Sequence, residues 1–133
     1  MLKKTIKYID FNGMERSEDF HFNLTKVELM RMEANVQGGL SAKLERVSKA
    51  QDAAAIMEVM EDLIRKSYGK KTSDGGFVKR PEYVDEFVST EAYSELFMEL
   101  VTDAEAAANF VKGIVPANMG EVNANANHPA KTK

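Results

Sequence analysis

The stretch KSYGKKTSDGGFVK, Lys66 to Lys79, sets a glycine before two lysines and a threonine and follows them with Asp-Gly-Gly. Those residue types could grip a phosphate. A phosphate-binding loop of the Walker kind needs a further glycine five positions before its Gly-Lys, a strand leading in, and a helix whose free N-terminal amides face the anion. Ile64 stands at that earlier position. The segment also follows the predicted end of a helix, where the partial charge is negative and disfavours phosphate. Lys66, Lys70 and Lys71 read better as cations complementing that helix end, with Gly69 leaving the helix in a left-handed conformation. Asp74 lacks the alternating acidic ligands of a calcium loop, so Asp74-Gly75-Gly76 reads as a turn.

Other chemistry has little to draw on. The histidines are His21 and His128, and there is no cysteine, so thiolate metal sites and disulfides are excluded and a zinc site is not expected. His21 alternates with Phe20 and Phe22 and points away from them. No G-x-S-x-G elbow is present, and acidic pairs such as Glu61-Asp62 fall on polar helix faces. The sequence therefore yields no catalytic, cofactor-binding or metal-binding residues, and predicts no enzyme.

The elements that carry these residues are mainly helical. KTIKYIDF places Ile6 and Tyr8 on one face, and DFHFNL puts Phe20, Phe22 and Leu24 at alternate positions, which predicts an N-terminal antiparallel strand pair. Asn12 to Asp19 is the polar link between them, closed by a tight turn or by a bulge at Gly13. Thr25 and Glu28 form a capping box for a helix running to about Gln37, and Gly38-Gly39 break it. Leu40, Leu44 and Val47 continue at helical spacing. Ser48 and Gln51 offer a second capping box, for a long helix with Ile56, Met57, Met60, Leu63 and Ile64 on its apolar face. Pro81 opens another helix, Ser89 or Thr90 caps the next, and Thr102 with Glu105 caps the last, for which Gly113 and Pro116 are stop signals. The fold class is mainly α within α+β, with five or six short helices. Residues 1–116 are expected to form a single globular domain. Residues 117–133, rich in Asn and Ala, are expected to be a mobile tail.

The chain's size fits one domain, at 133 residues. Its net charge of −3 and dispersed basic residues lack the footprint of a nucleic-acid binder. No apolar run is long enough to span a membrane, and the first residues do not resemble a signal peptide. A cytoplasmic protein with protein partners is expected.

Apolar surface in excess of one core points the same way. In the helix after Thr25, Val27, Met30 and Ala34 form one stripe, while Leu29, Met32 and Val36 form a second on roughly the opposite side. Around Tyr93, the residues Ala92, Leu96, Phe97, Leu100 and Val101 cover about half a helix circumference, wider than the ~100° of an ordinary surface helix, with Met98 outside that arc. Methionine is unbranched and polarizable and suits irregular helical partners. Leu29, Met32, Val36, Tyr93, Phe97 and Met98 are the partner-binding candidates.

YIDFNG, DFHFNLTKVELMRME, RKSYGKKTSDGGFVK, EFVSTEAYSELFMEL and ANFVKGIVP, in this order, resemble the tail assembly chaperones of long-tailed bacteriophages, over about Thr5 to Pro116. The resemblance implies a non-enzymatic protein of the infected host's cytoplasm, absent from the mature virion. Such proteins coat the helix-rich tape-measure protein, keep it soluble and leave as tail-tube subunits polymerise. It also implies the tail-tube protein and, in members with a ribosomal frameshift, a longer form of the same chain as partners, together with self-association. The competing reading is a head-tail connector or tail accessory protein that stays in the virion.

Overall fold

The structure, a computed structural model, describes residues 1–116; residues 117–133, over which the mobile tail is expected, lie outside the described residues. β1 (Leu2–Ile9) and β2 (Glu15–Phe22) form an antiparallel hairpin in which Leu2 faces Phe22 and Ile9 faces Glu15. Alternation turns Ile6, Tyr8, Phe20 and Phe22 to one face, and Lys3, Thr5, Lys7, Ser17 and Asp19 to the solvated other. The connection is shorter than the expected polar link from Asn12 to Asp19. Asp10 closes it: its carboxylate accepts from the Asn12 and Met14 amides at 2.9 Å, and its carbonyl accepts from Gly13, which sits at φ +81°. Glu15 to Asp19 are therefore strand residues.

The helices separate or follow the strands in ways the capping signals only partly located. Thr25 and Glu28 cap α1 (Lys26–Ala34) reciprocally, as expected, but the helix stops before Gln37, at Ala34, where Asn35 caps it. Between α2 (Gly39–Ala50) and α3 (Ala53–Ser67) the expected Ser48–Gln51 box does not form. α2 runs through Ser48, Gln51 is left-handed at φ 54°, and Asp52 accepts from the Ala55 amide instead. Aspartate at this position caps as well as serine.

β3 (Tyr68–Lys71) follows α3 without a break and pairs with β4 (Phe77–Val78). The sheet order is β1-β2-β3-β4. β3 joins β2 through His21 opposite Gly69 and Phe22 opposite Tyr68. Gly69 is thus not a left-handed helix stop. A Cβ there would come within 2.8 Å of both the Phe77 ring and the Val78 carbonyl oxygen, so glycine is needed for close approach of β4. The helix ends instead at Ser67, whose hydroxyl donates to the Leu63 carbonyl at 2.6 Å. Lys66 to Lys79 is accordingly a helix end and a hairpin, turned at Thr72–Gly76 by the Thr72 hydroxyl, which contacts Asp74 and accepts from the Gly76 amide.

α4 (Pro81–Val88), α5 (Glu91–Thr102) and α6 (Ala104–Ile114) complete the described chain. Thr90 caps α5, whereas Thr102 belongs to that helix and donates to the Met98 carbonyl. Asp103 caps α6, accepting from the Glu105 and Ala106 amides. Gly113 is inside α6 and not its stop; a Cβ there would come within 2.8 Å of the Leu2 side chain. The core lies on the inward face of the sheet, with Phe22, Leu63, Ile64, Phe87, Leu96 and Ile114 fully buried. Tyr68 stacks on Phe87 with ring centroids 4.4 Å apart, and Phe22 meets both Phe87 and Phe110 edge-on. The Leu24 amide donates to the Ile114 carbonyl at 2.8 Å, tying the end of α6 to the start of α1. These six helices and the hairpin at the N-terminus are the mainly α, α+β arrangement expected from the sequence.

Candidate functional site

The two apolar stripes of α1 have separate fates. Leu29 is 3% exposed and packed into the core, so it is no surface contact, and Met32 packs partly buried against that core. Val36, just past the helix, is half-buried. Val27 and Met30 on the other stripe remain 58% and 60% exposed. Only one stripe reaches the core, and the α1 N-terminus is held by a contact distant in sequence. The Lys79 ammonium donates to the Asn23 carbonyl and to the Glu28 carboxylate, the latter at 2.6 Å. Burial pushes the Glu28 carboxyl up, but Lys79 and the Thr25 amide outweigh that and hold it below the ordinary glutamate value.

On α5, Ala92, Leu96 and Leu100 are buried, and Tyr93 and Phe97 are half-buried beside them. Tyr93 meets Phe87 edge-on and Phe97 at 5.7 Å between centroids. Burial raises the Tyr93 hydroxyl above its usual range. Met98 stands outside this group, 57% exposed. The six expected contacts therefore comprise one core residue, four partly covered ones and one exposed one. They lie on and just beyond α1 and on α5, and α1 packs on α2 while α5 packs on β1, α3, α4 and α6.

A third apolar region escaped the sequence reading. Ile9, Phe11 and Met14 are exposed at the tip of the β1–β2 hairpin, Phe11 at 77%. The tip is firmly built, since Arg16 donates to Asp10 at 2.6 Å and holds the carboxyl of Asp10 below its usual range. A phenylalanine next to Asn-Gly was the available signal.

Among the described residues every buried side-chain nitrogen or oxygen has a hydrogen-bond partner, and no group of three His, Asp or Glu side chains is placed to hold a metal ion. His21 lies on the outer sheet face, where partial burial and the nearby Lys71 lower its pKa. No helix among the described residues is long and apolar enough to cross a membrane.

What the surface offers, then, is apolar side chains on firmly held elements. The family model for phage tail assembly chaperones matches residues 1–133, the whole chain. The chain belongs to that family. Neither a curated protein nor a solved structure matches it. It is the family the five sequence segments resemble.

Proposed function

We propose that this tail assembly chaperone binds the tape-measure protein, keeps it soluble and helps recruit tail-tube subunits. The observation that carries the reading is the family match over the full chain. The exposed apolar side chains support it, because an extended helical client displays apolar stripes that aggregate unless covered. The contacts we assign are Met98 with the open parts of Tyr93 and Phe97, the open parts of Met32 and Val36, and, on the opposite side of α1, Val27 and Met30. Leu29, on the stripe of Met32 and Val36, anchors α1 in the core. In this reading residues 1–116 are the client-binding domain, the protein acts without catalysis in the host cytoplasm, and several copies associate along one client. A frameshifted longer form would share the same domain.

Co-expression with the phage's tape-measure protein tests the proposal. The expected result is a soluble complex that co-sediments and co-purifies. Met30→Glu and Met98→Glu should each weaken capture of the client several-fold while leaving the circular dichroism spectrum unchanged, as expected for exposed side chains. A client that stays insoluble with this chain and with any longer form, together with the chain's presence in purified virions, would instead make it a structural tail component.

A further inference from the structure

β1 is an eight-residue strand at the edge of the sheet. β2 pairs with it along its whole length, and among the described residues no backbone hydrogen bond reaches it from the other side. The register fixes which groups are left over. The Asp10 amide donates to the Met14 carbonyl at the mouth of the hairpin, and bonded and non-bonded pairs alternate from there. Even-numbered positions such as Ile6 and Tyr8 therefore exchange hydrogen bonds with β2. Lys3, Thr5, Lys7 and Ile9 turn their amides and carbonyls to the open edge. Such an edge is a template for strand addition unless proline, a bulge, a covering segment or edge charges block it; β1 contains no proline and no residue at positive φ, and of its lysines Lys4 is paired with Glu99 while Lys3 and Lys7 sit on the solvated outer face, away from α5.

The neighbouring helix selects the occupant. α5 packs against β1, and Lys4 reaches Glu99 at 3.1 Å, which fixes the helix flank that faces the edge. Glu95 and Glu91 follow on that flank one and two turns back, in an open cleft lined by Lys7, Tyr8 and Ile9 of β1 and by Arg16 of β2, whose guanidinium is already paired with Asp10 and Glu18. Residues four apart on a helix repeat every ~6 Å, and same-side residues of a strand every ~6.6 Å. The carboxylate row and an added strand thus stay in step. Neither Glu91 nor Glu95 has an ion pair among the described residues, and no lysine or arginine occurs between Arg80 and Lys112.

We propose that the open edge of β1 takes an extended segment of a partner protein as an additional strand, with lysine or arginine at alternate positions facing Glu91, Glu95 and Glu99. Charge complementarity favours this occupant over a second copy, because pairing two β1 edges about a twofold axis would bring two acidic α5 flanks to one seam. The site adds main-chain recognition of an extended segment to the helical contacts proposed above and does not depend on them.

Amide exchange by NMR on the full chain tests it. The probe is an acetylated, amidated peptide of alternating lysine and threonine as long as β1. The controls are a peptide of the same composition with its lysines in one block, and the alternating peptide N-methylated on the amides that would face β1. The alternating peptide should slow exchange about tenfold at Lys3, Thr5, Lys7 and Ile9, leaving Lys4, Ile6 and Tyr8 unchanged. Glu91→Gln with Glu95→Gln should weaken binding about fivefold with the fold retained. Equal binding of either control would reduce the effect to bulk charge attraction and overturn the proposal. Unchanged exchange at the odd positions would overturn it as well. Concentration-dependent protection of those amides without peptide, with a dimer in sedimentation, would reassign the edge to self-pairing.

Discussion

Replacing Lys79 by methionine removes the ammonium that fastens the start of α1 to the end of the second hairpin while keeping an apolar stem of similar length. Two acceptors lose their donor, the Asn23 carbonyl and the Glu28 carboxylate. A hydrogen bond to a charged group contributes about 1.5–3 kcal/mol. The side chains of Lys79 and Glu28 are 19% and 39% exposed, so water replaces part of what is lost, and about 2 kcal/mol for the whole contact is the expected destabilisation. For a domain of this size that lowers Tm by about 8 °C. The pH dependence is a second, independent readout. Because Glu28 is held below its unfolded value, its contribution is fully present above that value and is lost as pH falls through the folded one. Without Lys79 the burial of Glu28 is less opposed, its carboxyl moves up, and acid destabilisation begins at higher pH. Urea and thermal denaturation followed by circular dichroism, at neutral pH and down through the carboxylate range, measure both. A loss below about 0.5 kcal/mol, or an acid profile superimposable on the parent's, would show that Lys79 is a solvated charge and that something else orients α1.

Gly69→Ala drives a methyl group into the Phe77 ring and the Val78 backbone and should cost about 1–3 kcal/mol in urea denaturation. Phe87→Ala empties the centre of the aromatic cluster formed with Phe20, Phe22, Tyr68 and Tyr93; a loss of about 3–5 kcal/mol and a weakened near-ultraviolet dichroism signal are expected. Asp52→Ala should cost about 1 kcal/mol through the lost α3 cap, whereas Ser48→Ala, an exposed position inside α2, should leave the denaturation midpoint nearly unchanged.

What the sequence revealed depended on how local the physics was. The Thr25–Glu28 box is a complete local device, with both partners inside one turn, and it forms as read. Ser48 and Gln51 have the same spacing, but α2 keeps its hydrogen bonds through Ala50 and an equally good cap waits at Asp52. Spacing alone could not rank the two. Glu15 to Asp19 carry no apolar alternation, so their strand character comes from pairing with β1 and from the Asp10 turn. Gly69 and Gly113 looked like stops because glycine's local role is to break helices. Their actual constraint is a neighbour distant in sequence, β4 for one and Leu2 for the other. At the surface, both stripes of α1 were visible, yet which one is buried depends on tertiary packing such as the contact of Glu28 with Lys79, 51 positions away.

That choice shapes how a chaperone of this kind would hold its client. Val27, Met30 and Met98 each retain a little under two thirds of their exposure, so covering one completely gains about 1–1.5 kcal/mol of the ~1.5–3 kcal/mol available to a side chain of this size. Three such contacts are comparable to the smallest estimates of what association costs in lost translational and rotational freedom, about 4 kcal/mol. One copy on one short apolar stripe would therefore barely bind. Several copies on a long client, each raising the local concentration of the next contact, reach useful avidity without any strong individual site. Under the proposed function the same arithmetic would make removal stepwise, since a polymerising tube would need to displace only one weak contact at a time. A surface of partly covered methionines and valines, with Leu29 kept in the core, fits retention by number of copies better than retention by strength of any single interface.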